Sequence, residues 1–194
     1  MRRLPVAVVY LAALVPLGWI VWLVLSGGIG VDPVKEIEHR LGKIALWFLA
    51  LGLAVTPLRR LTGVNLLRYR RALGLSAAFY VGLHILAWGW LDMRWLWAQM
   101  AGDLLKRPYL VAGMASALMI AVLAATSNGV SVRALGARWR VLHRLTYPAA
   151  ALAVGHYLWQ MKVITPEGWA WAGVMTGLLA LRLLPRGWGV TRRA

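Results

Sequence analysis

The chain has 194 residues, 61% hydrophobic and 14% charged, against about 25% charged in an ordinary soluble domain; it reads as an integral membrane protein in which one helical bundle uses up the length and leaves no room for a separate nucleotide-binding or catalytic domain. It contains no cysteine, which excludes iron–sulfur clusters, thiol catalysis, disulfides and covalent C-x-x-C-H haem attachment. The net charge of +16 would suggest nucleic acid, but the basic residues are distributed as a membrane topology distributes them.

Six apolar runs follow one another at residues 5–25, 43–57, 72–91, 109–127, 142–161 and 169–184. Their lengths bracket the ~20 residues a helix needs to cross a ~30 Å hydrocarbon core, the second being short. The first run opens Met1-Arg2-Arg3 like a secretory signal, but it is too long for a typical signal core and lacks a small-x-small cleavage site, so it reads as a helix. The connections are short apart from 26–42, 92–108 and 128–141. The expected fold is therefore all-α: a polytopic membrane bundle of six transmembrane helices forming a single domain over 1–194.

Alternating the connections between the two sides sorts the charges. One side receives Arg2, Arg3, Arg59, Arg60, Arg68, Arg70, Arg71, Arg133, Arg138, Arg140, Arg144, Arg182, Arg186, Arg192 and Arg193, with no acid. The other receives Asp32, Glu36, Glu38, Asp92, Asp103 and Glu167 together with Lys35, Arg40, Lys43, Arg94, Lys106, Arg107 and Lys162. Fifteen basic residues against seven place both termini in the cytoplasm by the positive-inside rule. Trp95, Trp97, Trp139, Trp159, Trp169 and Trp188 fall near the ends of the runs, where indole rings favour the headgroup layer.

Three histidines stand in or at the edge of apolar runs, where an ionisable group is costly and is generally kept for function. At 1.5 Å per residue, His84 lies about 18 Å into the third run and His156 about 20 Å into the fifth, both from the basic side. Two helices carrying one histidine each at a common depth can clamp a haem from both faces. His143 lies at the basic edge, at the level of Arg68, Arg70 and Arg71. Arg70 is about 40° from His84 around an ideal helix, whereas His143 and His156 are about 140° out of register on a straight one; Pro148 between them could kink it. A guanidinium is a poor iron ligand but suits a haem propionate or a flavin phosphate. His39, amid Glu36, Glu38 and Arg40, reads as a surface residue, and Tyr80 and Tyr147 as packing residues. Zinc is poorly supported, because no Asp, Glu or Cys lies near these histidines inside the apolar runs.

The string Val55-Thr56-Pro57-Leu58-Arg59-Arg60, then Leu67-Arg68-Tyr69-Arg70-Arg71-Ala72-Leu73-Gly74-Leu75 running on to His84, resembles the haem-binding membrane subunits of bacterial periplasmic methionine sulfoxide reductase systems. Arg107-Pro108-Tyr109-Leu110, Leu135-Gly136-Ala137-Arg138-Trp139 leading to Leu142-His143, and His156-Tyr157-Leu158-Trp159 extend the likeness over most of the chain. More broadly, it resembles the ferric reductase-like transmembrane family, which includes the membrane part of NADPH oxidases. Those relatives carry two histidines on each of two helices, whereas Arg70 or Arg71 occupies the basic-side position here. The resemblance implies haem b, one copy or two, held by His84 and His156 with His143 as a further candidate ligand, and FMN. It implies electron flow from the quinone pool or a flavin reductase, across the bacterial inner membrane, to a periplasmic molybdenum-dependent methionine sulfoxide reductase as heterodimer partner. Methionine sulfoxide is reducible back to methionine, so such a partner needs a dedicated electron supply. The chain has no G-x-G-x-x-G strand–turn–helix unit, which argues against direct NAD(P)H oxidation. The alternatives are a stand-alone ferric or oxygen reductase of the same architecture, and a non-haem transporter or scaffold.

Overall fold

The computed structural model describes residues 5–184, and all regular structure among them is helical. The elements are α1 (Val6–Leu25), α2 (Pro33–Thr62), α3 (Arg70–Leu86), α4 (Trp97–Lys106), α5 (Pro108–Ala125), α6 (Gly129–Leu135), α7 (Ala137–Leu142), α8 (Thr146–Trp159) and α9 (Pro166–Ala180). Arg2, Arg3, Arg186, Trp188, Arg192 and Arg193 lie outside the described residues.

Four helical segments are long and apolar enough to cross a bilayer: Val6–Leu25, Pro33–Thr62, Leu67–Asp92 and Pro108–Ala125. The second run, expected to be short, lies in a helix of 30 residues, about 45 Å long. Local chemistry sets both of its ends. The Asp32 side chain accepts from the Lys35 N–H at 3.1 Å, Pro33 starts the helix without needing an N–H, and Gly63 stops it at φ 76°, in the left-handed region that glycine tolerates.

The last two runs give shorter helices, of 14 and 15 residues. Pro148 is the reason in the fifth. Lacking an N–H, it cannot bond the Arg144 carbonyl one turn earlier, and the chain tightens into a 3-10 turn at His143–Leu145 before α8 begins. Two expected connections also hold helices. The 92–108 segment contains α4, anchored by buried Met100 beneath exposed Trp97 and Leu105. The 128–141 segment contains α6 and α7, α6 being capped by Asn128, whose Oδ1 accepts from the Ser131 N–H at 2.8 Å.

Helices α2, α3, α5 and α8 form the central bundle. α2 packs along α3 and α5 along α8, and the two pairs close through α3 on α5 and α2 on α8. α3 and α8 therefore stand diagonally opposite. α9 covers the seam between α2 and α8, and α1 lies outside α2 and α3. Leu49, Leu53, Ala77, Ala149, Ala150 and Met175 fill the core at the basic end. The alanines let the helices approach closely, as small residues do where apolar side chains gain nothing by leaving lipid.

Backbone groups released by proline find new partners. Pro57, within α2, leaves the Leu53 carbonyl without its usual donor, and the Arg182 guanidinium donates to that oxygen. Tyr80, fully buried on α3, donates to the Ala13 carbonyl of α1 at 2.6 Å and stacks on Phe48 of α2. This hydroxyl is the polar tie between α1 and the bundle. Tyr80→Phe is expected to destabilise the fold by about 1 kcal/mol, read as a lowered thermal midpoint in detergent; an unchanged midpoint would show that α1 is held by apolar contact alone.

Candidate functional site

His84 on α3 and His156 on α8 face each other across the bundle, their ring centroids 6.3 Å apart and their planes at 73°. The matched depths read from the sequence thus become a contact pair. Both rings line an apolar cavity that opens at its mouth. Its walls are apolar, with Leu46 and Leu49 from α2, Val81 from α3, Met114 and Ile120 from α5, and Ala153 from α8. A polar vestibule sharing His156, Tyr157 and Gln160 with the cavity is rimmed by Lys35, Asp92 and Glu167.

Each imidazole is held by a helix carbonyl from an outer neighbour. His84 Nδ1 lies 2.9 Å from the Glu38 oxygen of α2, and His156 Nδ1 lies 2.7 Å from the Tyr109 oxygen of α5. A carbonyl only accepts, so both Nδ1 atoms carry the proton and each Nε2 keeps its lone pair. An orienting partner on one ring nitrogen and a free lone pair on the other is the usual arrangement of an imidazole ligand. Two metal–nitrogen bonds of about 2 Å, with about 1 Å from each nitrogen to its ring centre, would put facing ring centroids about 6 Å apart. The facing pair and the apolar walls therefore fit a haem held from both faces.

Two glycines, which sequence reasoning missed, make room for the rings. A Cβ at Gly42 would stand 3.2 Å from His84 Nδ1, and one at Gly113 would stand 2.7 Å from His156 Nδ1. Their only trace in the sequence is a shared spacing, each lying four residues after the carbonyl that holds its histidine.

His143 occupies a separate place. Its ring stacks on Trp139 at 3.8 Å, and its Nε2 lies 3.1 Å from Thr126 Oγ1. The threonine hydroxyl already donates to the Val122 carbonyl at 2.7 Å, so His143 donates from Nε2 and its lone pair sits on Nδ1. Arg70 opens α3 within electrostatic reach of His143, as their common level predicts, and Arg71 follows it; both side chains are exposed. His39 is exposed on α2, on the lip of the cavity. Arg182, passed over as a site residue, lies over the Tyr147 ring at 5.8 Å.

The acid-bearing end is laced by ion pairs. Lys35 meets Asp92 at 2.6 Å and Lys43 meets Glu167 at 2.9 Å, joining α2 to the segment Ala87–Asp92 that continues α3 and to the start of α9. Arg40 pairs with Glu36 along α2, its Nε 2.8 Å from Oε1, and Arg107 lies 3.7 Å from Asp103.

The sequence profile of the family described as the ferric reductase like transmembrane component matches residues 35–154, taking in His84 and His143 and stopping just short of His156. The chain is 45% identical over 185 residues to the protein-methionine-sulfoxide reductase heme-binding subunit MsrQ of Agrobacterium fabrum, covering 94% of this chain and 86% of that protein. It is 46% identical over 182 residues to the protein of the same name in Xanthomonas euvesicatoria, covering 90% and 84%, and 43% identical over 175 residues to that of Brucella anthropi, covering 90% and 80%. No solved structure matches the chain.

In metal-free protein labelled with ¹⁵N-histidine, solid-state NMR is expected to show His84 and His156 protonated at Nδ1 and bare at Nε2, with His143 the reverse. A His84 or His156 ring protonated only at Nε2 would contradict the carbonyl contacts that orient the pair.

Proposed function

The chain belongs to the ferric reductase-like transmembrane family, and on that footing we propose that it is the haem b electron-transfer subunit of a bacterial protein-methionine-sulfoxide reductase. The observation that carries this reading is the pairing of His84 with His156, each with its Nδ1–H on a helix carbonyl, across an apolar cavity. Haem b, when bound, supplies a one-electron carrier between membrane and partner. His84 and His156 would hold it through their Nε2 lone pairs. The apolar walls from α2, α5 and α8 exclude water, and the Glu38 and Tyr109 carbonyls hold the rings in place.

The polypeptide crosses the inner membrane six times, with α8 and α9 as the two shorter crossings and both termini in the cytoplasm. The basic ends of the helices are retained on the cytoplasmic side, and the acid-bearing end faces the periplasm. The vestibule beside His156 is then the point of electron exit. The periplasmic molybdenum-dependent subunit docks over it, against the start of α2, helix α4 and the turn before α9. Electrons enter from quinol or from a flavin reductase at the opposite end, where His143, Arg70 and Arg71 can serve a second cofactor, either a further haem b or FMN. A guanidinium there pairs with a propionate or a phosphate.

His84→Ala and His156→Ala are each expected to abolish most haem binding, whereas His39→Ala and Arg70→Ala leave the haem between His84 and His156 in place. The check is a pyridine haemochrome assay with an optical spectrum, and full retention of the low-spin spectrum in both ligand variants would sink the assignment. For the partner, reduced membranes given the periplasmic reductase and a protein-bound methionine sulfoxide are expected to reoxidise faster than partner-free membranes. The acceleration should fall a few-fold from low to physiological ionic strength as charge steering is screened. No acceleration, with the haem shown to be reduced beforehand, would favour a stand-alone reductase.

A further inference from the structure

The two histidine slots are built alike. In an α-helix the carbonyl of residue i accepts the N–H of residue i+4, so a foreign ring that shares this oxygen must lie beside residue i+4. The Glu38 oxygen precedes Gly42 by one such step, and the Tyr109 oxygen precedes Gly113 by the same step. A Cβ at Gly113 would stand 2.7, 2.9 and 3.0 Å from Nδ1, Cε1 and Cγ of His156, the first two closer than Cβ atoms essentially ever come. One at Gly42 would stand 3.2 and 3.3 Å from Nδ1 and Cε1 of His84. Both helix pairs are held close. Ser116 of α5 donates to the Ala149 carbonyl of α8 at 2.8 Å, with Ala149 and Ala150 fully buried between them. Leu49, Leu53 and Ala77 close α2 on α3. By contrast, a Cβ at Gly74 or Gly173 would meet nothing within 4 Å.

We propose that Gly42 and Gly113 are positioning residues: each leaves the space in which one imidazole lies against a helix carbonyl, and together they set the two ring planes at a steep angle across the cavity. This rests on the reading of His84 and His156 as iron ligands. The carbonyl bond raises the basicity of a ligating imidazole, which favours the oxidised iron and lowers its reduction potential. Axial imidazoles crossed at a steep angle also give a strongly anisotropic low-spin ferric electron paramagnetic resonance (EPR) signal, whereas parallel rings give a rhombic one. The observed angle is 73°.

The experiment compares the full-length protein, made under haem-replete conditions, with Gly113→Ala, Gly42→Ala, the controls Gly74→Ala and Gly173→Ala, and the ligand variants His84→Ala and His156→Ala. Folding is checked by size-exclusion chromatography and thermal unfolding in detergent; the readouts are haem retention, the ferric EPR signal and the midpoint potential. Gly113→Ala is expected to hold haem about tenfold less tightly, with a less anisotropic signal and a raised potential. Gly42→Ala should shift in the same direction by less, since its Cβ stands 3.2 rather than 2.7 Å from the ring, and both controls should match wild type. A folded Gly113→Ala or Gly42→Ala with wild-type retention, signal and potential overturns the proposal. Should Gly113→Ala not be recovered folded, Gly42→Ala decides. If both ligand variants keep the wild-type spectrum, the ligand reading falls and the glycine roles fall with it. If the ligand variants lose haem while the glycine variants stay wild type, the glycine roles alone fall.

Discussion

Within hydrocarbon no water is available to satisfy a stray polar group, and this constraint governs how the helices meet. Four inward polar side chains of the bundle meet a carbonyl on a neighbouring helix: Tyr80 on Ala13, Ser116 on Ala149, His84 on Glu38 and His156 on Tyr109. These bonds fix rotation and register between helices whose apolar contacts would tolerate sliding. Where proline removes a donor, the same rule operates in reverse. Pro57 releases the Leu53 oxygen and Arg182 takes it, tying the end of the last helix back to α2.

For the histidines the constraint has a chemical consequence. A carbonyl can take only the proton-bearing nitrogen, so the requirement that satisfies one side of each ring leaves the other side basic and free. Two such rings on diagonal helices turn a packing necessity into the proposed ligand pair. The glycines belong to the same logic, because at Gly42 and Gly113 the turn after the carbonyl carries no side chain to meet the imidazole that lies there. Close packing through Ala149 and Ala150 then keeps the helices from drawing apart.

Charge separates the two ends of the bundle. Among the described residues all six acids lie at the end where the vestibule opens, several of them bound to basic partners that join one helix to another. That end is close to neutral and braced by ion pairs, while the arginine-rich end carries the excess positive charge. The proposed electron path runs from one to the other, and the His84–His156 pair lies nearer the braced end, where His156 lines the vestibule.

The sequence by itself determined the class, the apolar segments, the segregation of charge and the equal depth of His84 and His156, because each depends only on composition, on rise per residue or on the cost of charge in lipid. The strings around Arg59, Arg70 and His156 carry the resemblance to its family. Helix limits were legible only in part. The reach of α2 depends on the Asp32 cap and on Gly63, and the late start of α8 on the hydrogen bond that Pro148 cannot make. What only the tertiary structure decided was which backbone atoms receive the histidines, and with them the tautomers, the ring angle and the need for Gly42 and Gly113. Those contacts join residues dozens of positions apart on different helices, and no local pattern encodes which carbonyl a ring will meet until the helices pack.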